Sequence, residues 1–367
     1  MTTGSSSPDI LRGEVSRQLL TEDASWIVDM CTPNTAVMDS LRSTLVLLHL
    51  PYLTRIAYEG AVALHSRNAN MGLPKLAACL TSNFATITAR MRHLSKLMDD
   101  TQKSYSDVLS DFAAVIANQR GQYLGKRMKL GWPWQHDMGL LTVGSSVVGT
   151  TMAMALRLGM GTGQSVQDAG TFNVAREWGI SLALQMSAGI PPQSPRVDWS
   201  TYPIPWTDVL LRRYVATRFE SVFPMELKLL LLLILSDLNV SLTVMERACT
   251  MHEMPVFRAR TVTLFHALTT LRRVVDNYQG LKSRSMTECR MLLASAPVVR
   301  LLSREGKNVR NRCMHYEITD QRISPTIGMP MFGLVEAVFP GSTWGDFNAD
   351  VVAVAKSFVG ILQCWYS

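Results

Sequence analysis

Arg310, Asn311 and His315 are the side chains of this chain best suited to chemistry on a phosphodiester. They stand in the run Arg310-Asn311-Arg312-Cys313-Met314-His315, and Tyr316 follows. On a helix, an arginine and a histidine so spaced fall on adjacent turns and are expected near one face. A guanidinium is a permanent cation that matches phosphate oxygens. An imidazole exchanges a proton near neutral pH. A carboxamide holds a neighbour or a substrate oxygen through hydrogen bonds. Each residue also has a structural reading: a surface arginine closing a basic loop, an asparagine N-cap, a core histidine bonded to a carbonyl.

The charge around these residues favours a polyanion. The chain carries a net charge of +7. Residues 1–206 hold 17 basic and 15 acidic side chains, whereas residues 207–367 hold 19 and 14. Between Lys282 and Arg312 stand eight basic residues against Glu288 and Glu305. Such a run suits phosphate binding by Arg304, Lys307 and Arg312, and it also suits a solvated basic face.

The stretch from Val309 to Ile318, with Arg310, Asn311 and His315 in place, resembles the Arg-x4–6-His signature of the HEPN superfamily. There a polar residue, often asparagine, follows the arginine. The resemblance covers roughly residues 207–367. It implies a small all-helical domain that pairs into a homodimer and cuts RNA without a metal, as toxins and antiviral-defence effectors do, under an antitoxin or other regulatory partner. Inactive relatives of that kind bind RNA, nucleotides or proteins instead. In the catalytic case His315 is general base or acid, Arg310 stabilises the phosphorane, and Asn311 positions. One histidine per chain is thin for two proton transfers, and a two-fold dimer brings two to one cleft. The products are a 2′,3′-cyclic phosphate and a 5′-hydroxyl. Asp237, His266 and Tyr316 are candidates for a supporting role. Asp237 interrupts an apolar run and needs a partner such as Arg310. No cofactor is called for. No metal motif appears among the isolated cysteines at 31, 79, 249, 289, 313 and 364, and a reducing, cytoplasmic setting is the expectation.

The elements that position these residues read as all-α. Helical periodicity is expected over 36–50, 52–66, 75–98, 104–118 and 171–187. A basic patch follows at Arg120, Lys126, Arg127 and Lys129. The uncharged stretch 138–156 reads as a buried helix with close neighbours rather than a membrane span, so no stable membrane insertion is expected. The glycines of 159–163 read as a turn. Five prolines in 189–206 mark a linker or strap between a helical domain at 1–188 and a second domain at 207–367. In the second domain Met225–Glu246 reads as a central helix. Phe257, Leu264, Leu268, Leu271, Val275 and Tyr278 form the core stripe of another. Residues 304–308 read as a turn, with Arg310 opening the motif helix. Residues 318–345 read as an irregular excursion, with a β-hairpin formed by 322–327 and 331–339. A last helix spans 346–365.

Three functions fit these features: a metal-independent ribonuclease, a non-catalytic RNA- or partner-binding module, and an all-helical RNA-binding structural protein of nucleocapsid or capsid type.

Overall fold

A computed structural model describes residues 8–31, 39–68, 104–107, 109–110, 138–158, 197–199, 202–248, 250–316 and 324–365. Helix accounts for 72% of the described residues, beside one small three-stranded antiparallel sheet. The helices expected over 75–98 and 171–187, most of 104–118, the basic patch and the glycine-rich turn lie outside the described residues.

Helices α1 (Pro8–Cys31) and α2 (Asp39–Asn68) pack together at the N-terminal end. Leu45, Leu48, Tyr52 and Ile56 repeat at helical spacing on α2 and are all buried, as are Val15, Leu19 and Trp26 on α1. The break expected at Pro51 does not occur, and α2 runs through it. Proline removes one helix hydrogen bond there. The Thr54 hydroxyl donates to the Leu50 carbonyl at 2.8 Å in the same turn.

The stretch expected as a buried helix is instead a hairpin and a short helix. Strands β1 (Met138–Val143) and β2 (Ser146–Thr150) pair antiparallel, and α3 (Thr151–Leu158) follows. Two features of the sequence account for the difference. Gly144 sits at φ +58°, the left-handed region that a two-residue hairpin turn requires. Thr142, Val143, Val147, Val148 and Thr150 are β-branched, and such side chains fit a pleated surface. Strand β3 (Trp206–Val209) pairs with the other edge of β1, with Leu140 opposite both Thr150 and Thr207. Gly139 is required here, because a Cβ would lie 2.1 Å from the Trp206 indole.

The proline-rich segment thus enters the fold at its end. Val197 and Trp199 are buried, and the Val197 amide donates to the Asp29 carboxylate at 3.0 Å. His252 meets the same carboxylate at 3.0 Å. Hydrophobic side chains from Val15 to Trp365 form one continuous core.

Short helix α4 (Leu211–Ala216) leads to α5 (Met225–Asn239), which continues through a π-turn at Val240–Val244 and a 3-10 turn at Met245–Ala248. This run is long and apolar enough to cross a membrane, yet 78% of its apolar window is buried inside the fold. The buried Arg260 donates to the Ser241 carbonyl at 2.8 Å, within the π-turn whose backbone pairing is displaced. Helix α6 (Glu253–Asn277) runs through the middle, with Phe257, Leu264, Leu268, Leu271 and Val275 buried as expected and Tyr278 half-buried just beyond its end. Helices α7 (Arg284–Ala294) and α8 (Ala296–Leu302) are separated at Ser295, and Pro297 sits in the first turn of α8.

The motif helix is α9 (Arg304–Met314), capped by the Ser303 hydroxyl, which accepts from the Gly306 amide at 3.1 Å. It starts six residues earlier than expected, so 304–308 is its first turn rather than a loop. The glycine there reflects close packing, because a Cβ on Gly306 would lie 2.1 Å from the Leu301 carbonyl oxygen. The expected hairpin of 318–345 is absent among the described residues. A 3-10 turn at Pro330–Gly333 and α10 (Leu334–Val338) stand there instead. Met331 and Phe332 take positive φ of 49° and 54° and bury their side chains, so packing outweighs backbone strain at this turn. Helix α11 (Trp344–Gln363) closes the chain behind a Thr343/Asp346 capping box.

Candidate nucleic-acid interface

Helix α9 has two distinct faces. Gly306, Val309, Arg310 and Cys313 recur at helical spacing and are buried. Arg304, Lys307 and Asn308 are exposed, Asn311 is half-buried, and His315 is exposed. Residues 304, 307, 311 and 315 follow the spacing of a single helical row. Five positions amount to about 140° around a helix axis, so Arg310 and His315 diverge rather than sharing a face.

Arg310 turns inward. It is 8% exposed, its guanidinium carbon lies 4.5 Å from the centre of the Phe265 ring, and Nη1 donates to the Met314 sulfur at 3.2 Å. Stacking on an aromatic face suits a planar guanidinium. His266, next to Phe265 on α6, is half-buried with its ring edge-on to that phenyl at 6.5 Å. Replacing Arg310 with alanine is expected to lower stability by about 1–3 kcal/mol through lost packing. Urea unfolding measures the loss, and a difference under about 0.5 kcal/mol would contradict a packing role for Arg310.

His315 stands at the C-cap of α9 with extended backbone. Its Nδ1 lies 2.7 Å from Oε2 of Glu59 on α2, and its side chain is 46% exposed against 7% for Glu59. Arg312 is half-buried on the same helix.

Behind His315 the chain enters a buried ionic network joining α1, α2 and α6. The Tyr316 hydroxyl donates to Asp23 at 2.6 Å, and the Arg258 guanidinium lies 4.6 Å over the Tyr316 ring. Asp23 meets Arg258 at 3.6 Å and Arg55 at 3.8 Å. Both arginines also reach the Cys313 carbonyl, at 3.3 Å and 2.9 Å. That carbonyl belongs to the last turn of α9, where helix oxygens lack intrahelical partners. Tyr316 is therefore a structural tie rather than a group at the exposed end of the helix. Burial, then Asp23, pushes its hydroxyl well above the ordinary range, so it stays a donor. Burial also pushes the Cys313 thiol up to about 12, which leaves it unreactive.

Glu22, beside Asp23, has its carboxyl raised from 4.5 to about 7, first by burial and then by the Asp23 charge, against Arg258. A raised carboxyl means the native state holds this proton more tightly than the unfolded chain. Stability is then lost as pH rises from 4.5 through about 7, and the penalty is complete above that range. Glu22→Gln is expected to melt higher than the parent at pH ~8.5 and to lose that advantage at pH ~4. Equal melting points at alkaline pH would refute this reading of Glu22.

Asp237 does not pair with Arg310. Its partner is Arg157 on α3, in an ion pair between the sheet-side helix and α5. Among the described residues no group of three His, Cys, Asp or Glu side chains is arranged to hold a metal. Sequence reasoning missed Asp23, Arg55, Glu59 and Arg258. One signal was available: Arg55 and Glu59 stand four apart in the mostly apolar middle of α2, beside Leu53 and Ile56, where charges need buried partners.

Comparison with known protein families, with curated proteins and with solved structures finds no match for this chain.

Proposed function

We propose that the chain is an RNA-binding helical protein that holds the backbone of single-stranded RNA without cutting it. The observation that carries this reading is the two-faced α9. Arg304, Lys307, Asn311 and His315 form an outward row of polar and cationic groups, while Arg310 is turned into the core. Such a row spans about 16 Å, enough for a short run of phosphates. Donors spaced along one helix face bind phosphates in register and carry little base specificity. Arg310 stacked on Phe265 is poorly placed to stabilise a phosphorane. The resemblance to the HEPN superfamily then concerns a member that keeps motif residues for packing and binding.

The test is fluorescence anisotropy of a fluorescein-labelled single-stranded poly(U) RNA in EDTA across salt concentrations. With two to three cationic phosphate contacts, the logarithm of affinity falls against the logarithm of salt with a slope of about −1.4 to −2. Saturable binding with that slope and intact probe supports the reading. Absence of binding at low salt would sink it.

A second reading, a metal-independent ribonuclease, is favoured by one contact. A buried carboxylate bonded to Nδ1 of a half-exposed histidine is the arrangement that orients a general base. A homodimer would supply the second histidine this reading needs.

A further inference from the structure

The outer row of α9 ends on a residue whose charge depends on pH, and its ring is held from a different part of the chain. Glu59 lies 256 positions before His315 in sequence. Its carboxylate is nearly buried, while the imidazole it contacts is close to half exposed. A buried acceptor on one ring nitrogen selects the tautomer with hydrogen on Nδ1 and turns the other nitrogen away. In the neutral ring Nε2 is then a bare acceptor and repels phosphate oxygens. In the protonated ring Nε2–H becomes a charged donor at the end of the row begun by Arg304 and Lys307.

Resting on the RNA-binding reading above, we infer that Glu59 is a positioning residue which aims His315 Nε2 outward and makes it the pH-dependent phosphate contact of the row. Glu59 itself touches no RNA in this scheme.

The surroundings allow the assignment. On α2, Arg55 lies one turn before Glu59 and is engaged with the Cys313 carbonyl and with Asp23. On α1, Asp23 is taken by Tyr316, Arg55 and Arg258, and Glu22 stands beside it. On α6, Arg258 points into the same buried network. On α9 itself Arg312 and Asn311 flank the C-terminal turn. Among the described residues Glu59 is thus the carboxylate in contact with the imidazole. Glu22, whose carboxyl is raised to about 7 by burial and then by the Asp23 charge, also changes protonation between pH ~5.5 and ~8.5. Its contribution persists in a His315 variant and is separable on that ground.

The experiment measures the affinity of the full chain for labelled poly(U) RNA between pH ~5.5 and ~8.5 at fixed ionic strength, for parent, His315→Ala, Glu59→Ala and Glu59→Gln. In the parent, affinity is expected to rise about three- to tenfold on acidification. His315→Ala and Glu59→Ala should both lose the His315-dependent part of that rise. Glu59→Gln, whose amide oxygen still accepts from Nδ1–H, should recover most of it. A residue that merely supported the fold would lower affinity equally at all pH values. A Glu59→Ala profile identical to the parent's overturns the inference and leaves the RNA-binding reading intact. Absence of RNA binding by the parent at every pH overturns both.

Discussion

Reversing two charges on the outer face of α9, in the double variant Arg304→Glu/Lys307→Glu, is expected to weaken binding of single-stranded RNA about 10- to 100-fold at roughly 0.1 M salt. Both side chains are exposed and lie off the buried stripe of the helix, so the thermal midpoint should stay where it is. Two phosphate contacts are lost, and two repulsions replace them. The salt dependence should flatten by about 1.4, at roughly 0.7 per contact on a single strand. Unchanged affinity in a folded double variant would remove α9 from the interface.

The largest stability effect is expected at Asp23. Its carboxylate faces Arg258 and Arg55 and accepts the Tyr316 hydroxyl, all within a region sealed from water. Asp23→Ala leaves a fully buried Arg258 without its counter-charge and a buried hydroxyl without its acceptor. Removing one member of such a pair costs about 3–5 kcal/mol, far more than the pair contributes when intact. Urea unfolding measures the difference. A loss under about 1 kcal/mol would mean that the network relaxes or admits water, and that it does not tie α1 and α2 to α9.

The sequence carried a good part of the helical architecture and little of the site's geometry. The core stripe of α6 was legible because its apolar residues repeat at helical spacing over many turns. The hairpin at 138–150 was misread. An uncharged run looks alike in a buried helix and a buried strand, and the Gly144-Ser145 turn was the arbiter. The start of α9 was misplaced because Gly306 looks like a turn signal, whereas here it permits contact with the Leu301 carbonyl. The motif was found by its spacing, but spacing says nothing of which way each side chain turns. Phe265 draws Arg310 inward, and Glu59 holds His315 at the surface. Both partners come from distant parts of the chain, and no local pattern links them to the motif.

The central claim is that this chain holds RNA and leaves it intact. Purified protein incubated with total RNA in EDTA, beside His315→Ala, tests it most directly when the RNA is analysed both for retention on the protein and for end chemistry. The account predicts that RNA is retained by both proteins and recovered full length from both. RNA cut by the parent alone, with 2′,3′-cyclic phosphate ends, would contradict it and establish His315 as the working group of a ribonuclease.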